Sequence, residues 1–297
     1  MLRRLKTPSL LFSDVQKDNK TSFGYKEVQP SEKQGLVNSV FSSVASKYDV
    51  MNDLMSGGAH RLWKNYLIED IGILRPNITK TESQLNEKDK VTILDVATGT
   101  GDIAYNIIDY QKKFSQNPND LYKTFKVILY DINADILEEA KQKARDNNID
   151  NKLLEFKQGN AEKLSGIADK SVDLYVISFG LRNVPDTKKA LKEAYRVLKP
   201  GGRFVCMEFS KVENAVLSEL YRFYSFNIIP IMGQIVAGDR SSYQYLVESI
   251  DKFYTQEELL SLVKEAGFEF ASYQNLSFGA VAIHTGFKIE KKENTLA

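Results

Sequence analysis

Apolar positions along this chain fall into two alternating patterns. VTILDVA (91–97), FKVILYDI (125–132), VDLYVISFG (172–180) and RFVCMEF (203–209) are near-continuous, β-branched runs of strand length, as expected for strands buried on both faces. Helical spacing fills the intervals. Asn133 can cap a helix with Ile136, Leu137, Ala140 and Ala144 on one face. Pro185 is expected to open another, with Ala190, Leu191, Ala194, Tyr195 and Leu198 on one stripe, and Pro200-Gly201-Gly202 to stop it. Thr255 and Glu258 have capping-box spacing, and Gly267 closes the helix that carries Leu259, Leu262, Val263 and Ala266. Repeated β-α-β units predict a doubly wound, mostly parallel α/β sheet.

Upstream the spacing is helical from 35 to 75, with Val37, Val40, Phe41 and Val44 in register, and a polar stretch from Pro76 to Lys90 follows. The chain therefore divides into a segment 1–30, a helical preamble and linker 31–90, and a main domain 91–290. Within that domain an apolar segment, 213–237, holds VLSELYRFYSFNIIPIMGQIV (216–236), which Pro230 and Gly233 break into pieces too short to span a bilayer. It reads either as a cap over a ligand site or as a pair of ordinary buried helices.

Composition narrows the function classes. The 297 residues carry 40 Lys and Arg against 39 Asp and Glu, which argues against a nucleic-acid partner. A single cysteine, Cys206, forbids an intramolecular disulfide, and with His60 and His284 as the only histidines no metal site is expected. Cys206 lies in an apolar strand and reads as a buried small hydrophobe. His284 reads as structural. His60, on a predicted helix beside Trp63, fits either a general base or a polar surface residue, and the surface reading is the simpler. MLRRLKTPSLLFS has three basic residues and no acid before Asp14, the bias of an organelle transit peptide or of a basic tail.

Open parallel sheets bind ligands at the carboxyl ends of their strands. The first strand runs into Gly99-x-Gly101-x-x-Ala104, where glycines let backbone N–H groups approach a ligand. The second ends at Asp131, whose carboxylate can accept ribose hydroxyls. The third ends near Gln158-Gly159-Asn160-Ala161 and the fourth at Ser178-Phe179-Gly180. The glycine spacing also fits a nicotinamide dinucleotide. Asp95 inside the first strand, and Asp131 lying 30 residues beyond Gly101 rather than the usual ~20, favour S-adenosylmethionine. Asp95 could instead cap the next helix, and Asp131 could be an N-cap.

VFSSVASKYDVMNDLMSGGAHRLWK (40–64), LDVATGTGD (94–102), SFGLRNV (178–184), YRVLKPGGRFVCMEFSK (195–211) and DRSSYQYLVESI (239–250) resemble the UbiE-type C-methyltransferases of ubiquinone and menaquinone biosynthesis. The likeness runs from about Phe23 to Phe287 and departs at Thr98, where that family usually has glycine. It implies a class I S-adenosylmethionine-dependent methyltransferase fold, with S-adenosylhomocysteine as product and no metal. It implies cofactor contacts at Thr100, Asp131, Asn160, Ala161 and Ser178, beside Gly99, Gly101 and Asp95. It also implies methyl transfer to a ring carbon of 2-methoxy-6-polyprenyl-1,4-benzoquinol, with Arg182, Asn183 and Tyr48 activating the quinol hydroxyl. Arginine is a poor literal base, so stabilising a developing phenolate is the role expected of Arg182. A polyprenyl substrate implies peripheral contact with a membrane; in a mitochondrion that is the matrix face of the inner membrane, within a complex of quinone-synthesis enzymes, with a homodimer as a further expectation. Demethylmenaquinol or another phenol is the alternative acceptor, and a non-catalytic subunit of such a complex is the alternative outside enzymes.

Overall fold

A computed structural model of the chain describes residues 20–44, 47–74 and 89–290. Continuous apolar runs become the central strands because every side chain in them meets a packed layer. In β3 (Val91–Val96) all six residues are buried, and β4 (Phe125–Asp131) and β6 (Val172–Ser178) are nearly as enclosed. With β5 (Leu154–Gln158), β7 (Leu198–Phe209), β8 (Glu269–Leu276) and β9 (Val281–Phe287) they form one seven-stranded sheet of order β5-β4-β3-β6-β7-β9-β8. Neighbours from β5 to β7 are parallel, while β9 runs antiparallel to both β7 and β8. The order reverses between β3 and β6, which fixes the binding crevice at their carboxyl ends.

Helices cover both faces. On one face α3 (Ala59–Ile71), α4 (Asp102–Phe114) and α5 (Ala134–Asp146) bury Leu67, Ile107, Ile108 and Ala140 against β3 and β4. On the other, α6 (Thr187–Val197) and α10 (Gln256–Glu265) bury Leu191, Ala194, Leu259 and Val263. Asn133 caps α5 through the N–H groups of Asp135 and Ile136, and Thr255 with Glu258 closes a capping box on α10.

Two boundaries differ from those expected. Asp186, not Pro185, caps α6, by accepting from Lys189 N. Pro200-Gly201-Gly202 lies inside β7 rather than ending α6, because Gly201 N donates to Lys288 O at 2.7 Å and Lys288 N returns a bond to Gly202 O at 3.0 Å. The chain tail thus supplies ladder partners that composition does not show.

Regular structure is already present before residue 30. Thr21–Phe23 (β1) and Lys26–Val28 (β2) pair as a hairpin. Phe23 stacks on Tyr245 with ring centroids 4.1 Å apart, and Thr21 Oγ1 donates to Pro185 O. Residues 1–19, which carry the basic segment, lie outside the described residues, as does most of the polar linker.

The helical preamble becomes α1 (Pro30–Val44), α2 (Tyr48–Ser56) and α3. With α7 (Ala215–Asn227), α8 (Ile229–Ala237) and α9 (Arg240–Lys252) it builds a second, small core around Val44, Met51, Ile229, Tyr243 and Val247. The apolar segment is therefore not a pair of ordinary buried helices. Val216, Leu220, Phe223, Ile231 and Ile235 are exposed on α7 and α8. No helix of the described residues is long and apolar enough to cross a membrane.

Candidate active site

Two cavities open beside the strand ends, and they share Lys64 and Phe179 as walls. The first, of about 180 Å³, gathers Asp95, Gly99, Thr100, Asp131, Asn160, Ala161, Ser178 and Asn183. Nearly every residue expected to hold the cofactor is thereby brought to one place.

The loop after β3 is held by Asp95. Its Oδ2 accepts from Thr98 Oγ1 at 2.7 Å and from Ala104 N at 3.2 Å. Burial lifts the Asp95 carboxyl to about 7, with those two hydrogen bonds pulling the other way. The local helix-capping role is thus real, and Asp95 shapes the loop from beneath. Thr98 turns its hydroxyl inward to Asp95, and its φ is not positive, so no glycine is needed there. The left-handed residue is instead Ala97 (φ 52°), matched by Phe179 (φ 55°) at the end of β6. Paired strained positions flanking a crevice are a mark of functional sites.

A cofactor fit can be tested on atoms that the protein leaves unused. At Gly99, φ +58°, an added Cβ would meet nothing within 4 Å, so this backbone faces open space. Asp131 Oδ2 accepts from Gly99 N and Oδ1 from Asn133 N, both at 3.0 Å, and burial raises its pKa. Such a carboxylate gains by accepting ribose hydroxyls. Ser178 Oγ is buried without a partner among the described residues, and Ser178 lines the same space. The donor set fits S-adenosylmethionine. Asp102, at the start of α4, is pushed up by burial, but Lys64 (2.7 Å) and Lys143 hold it down at about 2. Lys64 in the shared wall is thereby tied in place.

The second cavity, of about 130 Å³, is mostly apolar and is built from distant segments: Trp63 of α3, Phe179, Phe209 of β7, and Tyr221 and Tyr224 of α7. Arg182 enters it from the short turn after β6. Its Nη1 donates to Glu208 Oε1 at 2.9 Å and to Phe179 O, and its Cζ lies 5.4 Å from the Phe209 ring centroid. Both partners of the ion pair are buried. Arg182 Nε is buried with no acceptor among the described residues, an unsatisfied donor beside an apolar cavity.

Of the three proposed activating residues, only Arg182 is seen in this cavity. Asn183 lines the first cavity, and its Oδ1 accepts from Tyr245 Oη at 2.9 Å. Tyr48 begins α2, and its side chain lies outside the described residues. Sequence reasoning missed Glu208, Tyr245 and Lys33, whose buried ammonium donates to Arg182 O and Val184 O. It also misjudged His60, which is 8% exposed and not a surface residue. Its ring is drawn inward by a 2.7 Å contact between Nε2 and Asp53 Oδ1. His284 and Cys206 are buried structural residues, the former bonded through Nε2 to Gln256 O.

Comparison with known proteins agrees with this geometry. The sequence model of the ubiE/COQ5 methyltransferase family matches residues 27–288. The ubiquinone/menaquinone biosynthesis C-methyltransferase UbiE of Rickettsia bellii is 50% identical over 271 residues, which is 91% of this chain and all of that relative; that of Rickettsia felis is also 50% identical over 271 residues, again 91% of this chain and all of the relative. Among solved structures, a SAM-dependent methyltransferase from Aquifex aeolicus aligns with a TM-score of 0.50 at 14% identity, covering 88% of this chain and 100% of that one. Another from Thermotoga maritima aligns with a TM-score of 0.50 at 18% identity, covering 84% and 98%. These two establish the fold alone.

Proposed function

This chain belongs to the ubiE/COQ5 methyltransferase family, and we propose that its acceptor is the ubiquinone precursor 2-methoxy-6-polyprenyl-1,4-benzoquinol. Family and fold make it an S-adenosylmethionine-dependent C-methyltransferase of ubiquinone/menaquinone biosynthesis. When bound, S-adenosylmethionine supplies a methyl group already made electrophilic by its sulfonium. The chain's own task is to hold that methyl in line with a ring carbon and to make the carbon nucleophilic.

Arg182 carries this reading: it lines an apolar cavity that meets the cofactor crevice at Phe179, and its Nε is a buried donor with no acceptor among the described residues. A quinol oxygen seated there receives a charge-assisted hydrogen bond that strengthens as phenolate character develops. Glu208 keeps the guanidinium oriented. Gly99, Asp131 and Ser178 hold the donor from the other side, and apolar walls exclude water.

The benzoquinol reading is favoured over demethylmenaquinol by the basic, acid-poor segment at the start of the chain, which fits a mitochondrial address. The family match begins at residue 27, after that segment. We extend the reading to location: the matrix face of the inner membrane, with the exposed apolar side of α7 and α8 against lipid, in a complex of quinone-synthesis enzymes and as a homodimer. The test offers methyl-labelled S-adenosylmethionine with short-chain 2-methoxy-6-prenyl-1,4-benzoquinol or demethylmenaquinol. A kcat/KM at least tenfold higher for the benzoquinol is expected; equal or reversed values overturn the choice of acceptor.

A further inference from the structure

Asp53 on α2 and His60 on α3 face each other across the glycine turn Gly57-Gly58, whose positive φ values of 56° and 81° fold the two helices together. Arg61 grips the carboxylate from the solvent side, Nε to Oδ1 at 2.8 Å and Nη2 to Oδ2 at 2.7 Å. Held by Arg61 and His60, Asp53 stays well below the usual carboxylate range. It can only accept, so the 2.7 Å contact with His60 Nε2 puts the imidazole proton on Nε2. The neutral ring then has its lone pair on Nδ1. That atom is buried and has no partner among the described residues, and His60 lines the acceptor cavity.

No other described titratable group around this cavity offers such a lone pair. Lys64 is bonded to Asp102 and Arg182 to Glu208, and both are cations. Tyr224 donates to Met55 O and Tyr245 to Asn183 Oδ1. Burial pushes Tyr245 up to about 12 and raises Tyr221 and Tyr224 as well. Tyr243, the remaining one, has a partner.

We propose that His60 is the catalytic proton acceptor for the quinol hydroxyl, with Asp53 as the residue that positions it. This rests on the quinol-methylation reading above. Nδ1 takes the hydroxyl proton, and the O–H electron pair moves into the ring. The ring carbon forms its bond to the methyl carbon, and the pair of the broken S–C bond stays on sulfur. The hydrogen on that ring carbon then leaves to solvent as a proton, its electron pair restoring the aromatic ring as the imidazolium returns its proton to oxygen. One proton is released per methyl transferred, and the orienting carboxylate, imidazole and substrate hydroxyl follow the logic of a catalytic dyad.

The full chain is assayed with S-adenosylmethionine and short-chain 2-methoxy-6-prenyl-1,4-benzoquinol beside His60→Ala, His60→Gln and Asp53→Asn, with S-adenosylhomocysteine affinity measured by calorimetry. In His60→Ala, kcat falls about 10²- to 10⁴-fold, while quinol KM and cofactor affinity hold within about twofold. The acid limb of the wild-type kcat–pH profile disappears in that variant, and added imidazole restores part of the rate. Asp53→Asn keeps the limb and lowers kcat less than His60→Ala does, because the imidazole stays in place but loses the carboxylate that fixes its proton on Nε2. A His60→Ala kcat within about tenfold of wild type, or a limb that persists in it, overturns the proposal. Should both His60 variants fail to fold, an Asp53→Asn kcat within about threefold of wild type overturns it, and a larger fall with quinol KM unchanged supports it. Wild-type protein that binds S-adenosylhomocysteine but methylates no quinol overturns the quinol reading itself, whereas wild-type turnover with an unaffected His60→Ala overturns this inference alone.

Discussion

The two cavities are made by different kinds of structure. The cofactor crevice is assembled from backbone at the ends of adjacent parallel strands, with Asp95 and Asp131 as struts. The acceptor cavity is assembled from side chains of α2, α3, α7, α9 and β7 that are remote in sequence. On the proposed function, the first serves any reaction that uses the same donor and the second selects what is methylated. Variants in the two regions should accordingly separate cofactor affinity from turnover and quinol KM.

The largest effect is expected in the acceptor region. Arg182→Ala leaves the buried Glu208 carboxylate with backbone N–H donors but no cation, and losing one partner of a buried pair costs about 3–5 kcal/mol. Urea unfolding should show it. Replacing both partners, Arg182→Met with Glu208→Gln, should recover most of that stability without recovering turnover. Recovery of both would remove Arg182 from the chemistry.

A smaller effect tests the cofactor region through pH. Asp95 in the fold is lifted to about 7 from 3.8 by burial. Between those values the folded state keeps a proton that the unfolded chain releases, so this group's contribution is fully present below about pH 4 and is lost as pH rises through about 7. Cofactor-free wild type should therefore lose stability relative to Asp95→Asn across that window. A constant difference between the two would show that Asp95 titrates normally. The smallest effect belongs to Tyr245→Phe, which deletes the hydrogen bond to Asn183 at a cost of about 1 kcal/mol. It should shift both quinol KM and S-adenosylhomocysteine affinity by a few fold, since this bond joins the two cavities.

The same contrast decides what was legible in the sequence. Strand ends are local features: Gly99, Asp131 and Ser178 each sit where an apolar run stops, so their convergence follows from the topology of a doubly wound sheet. Asn133 and Thr255 cap helices through bonds to residues two and three positions on, and both were readable. The acceptor cavity relies on long-range pairs. Glu208 lies 26 residues from Arg182, and Tyr245 lies 62 from Asn183. His60 looked like a surface residue because its partner, seven positions back, lies across a helix break that brings the two together only in the fold. Even the two pieces of the apolar segment, readable as helices, did not reveal that one side of each would stay exposed.

The most direct test is a crystal structure with S-adenosylhomocysteine and a short-chain methoxybenzoquinol bound together. The ribose should lie on Asp131 and the quinol ring between Arg182 and His60, with the sulfur and the ring carbon facing each other beside Phe179. Both ligands in one cavity, or a ribose that makes no contact with Asp131, would contradict that arrangement.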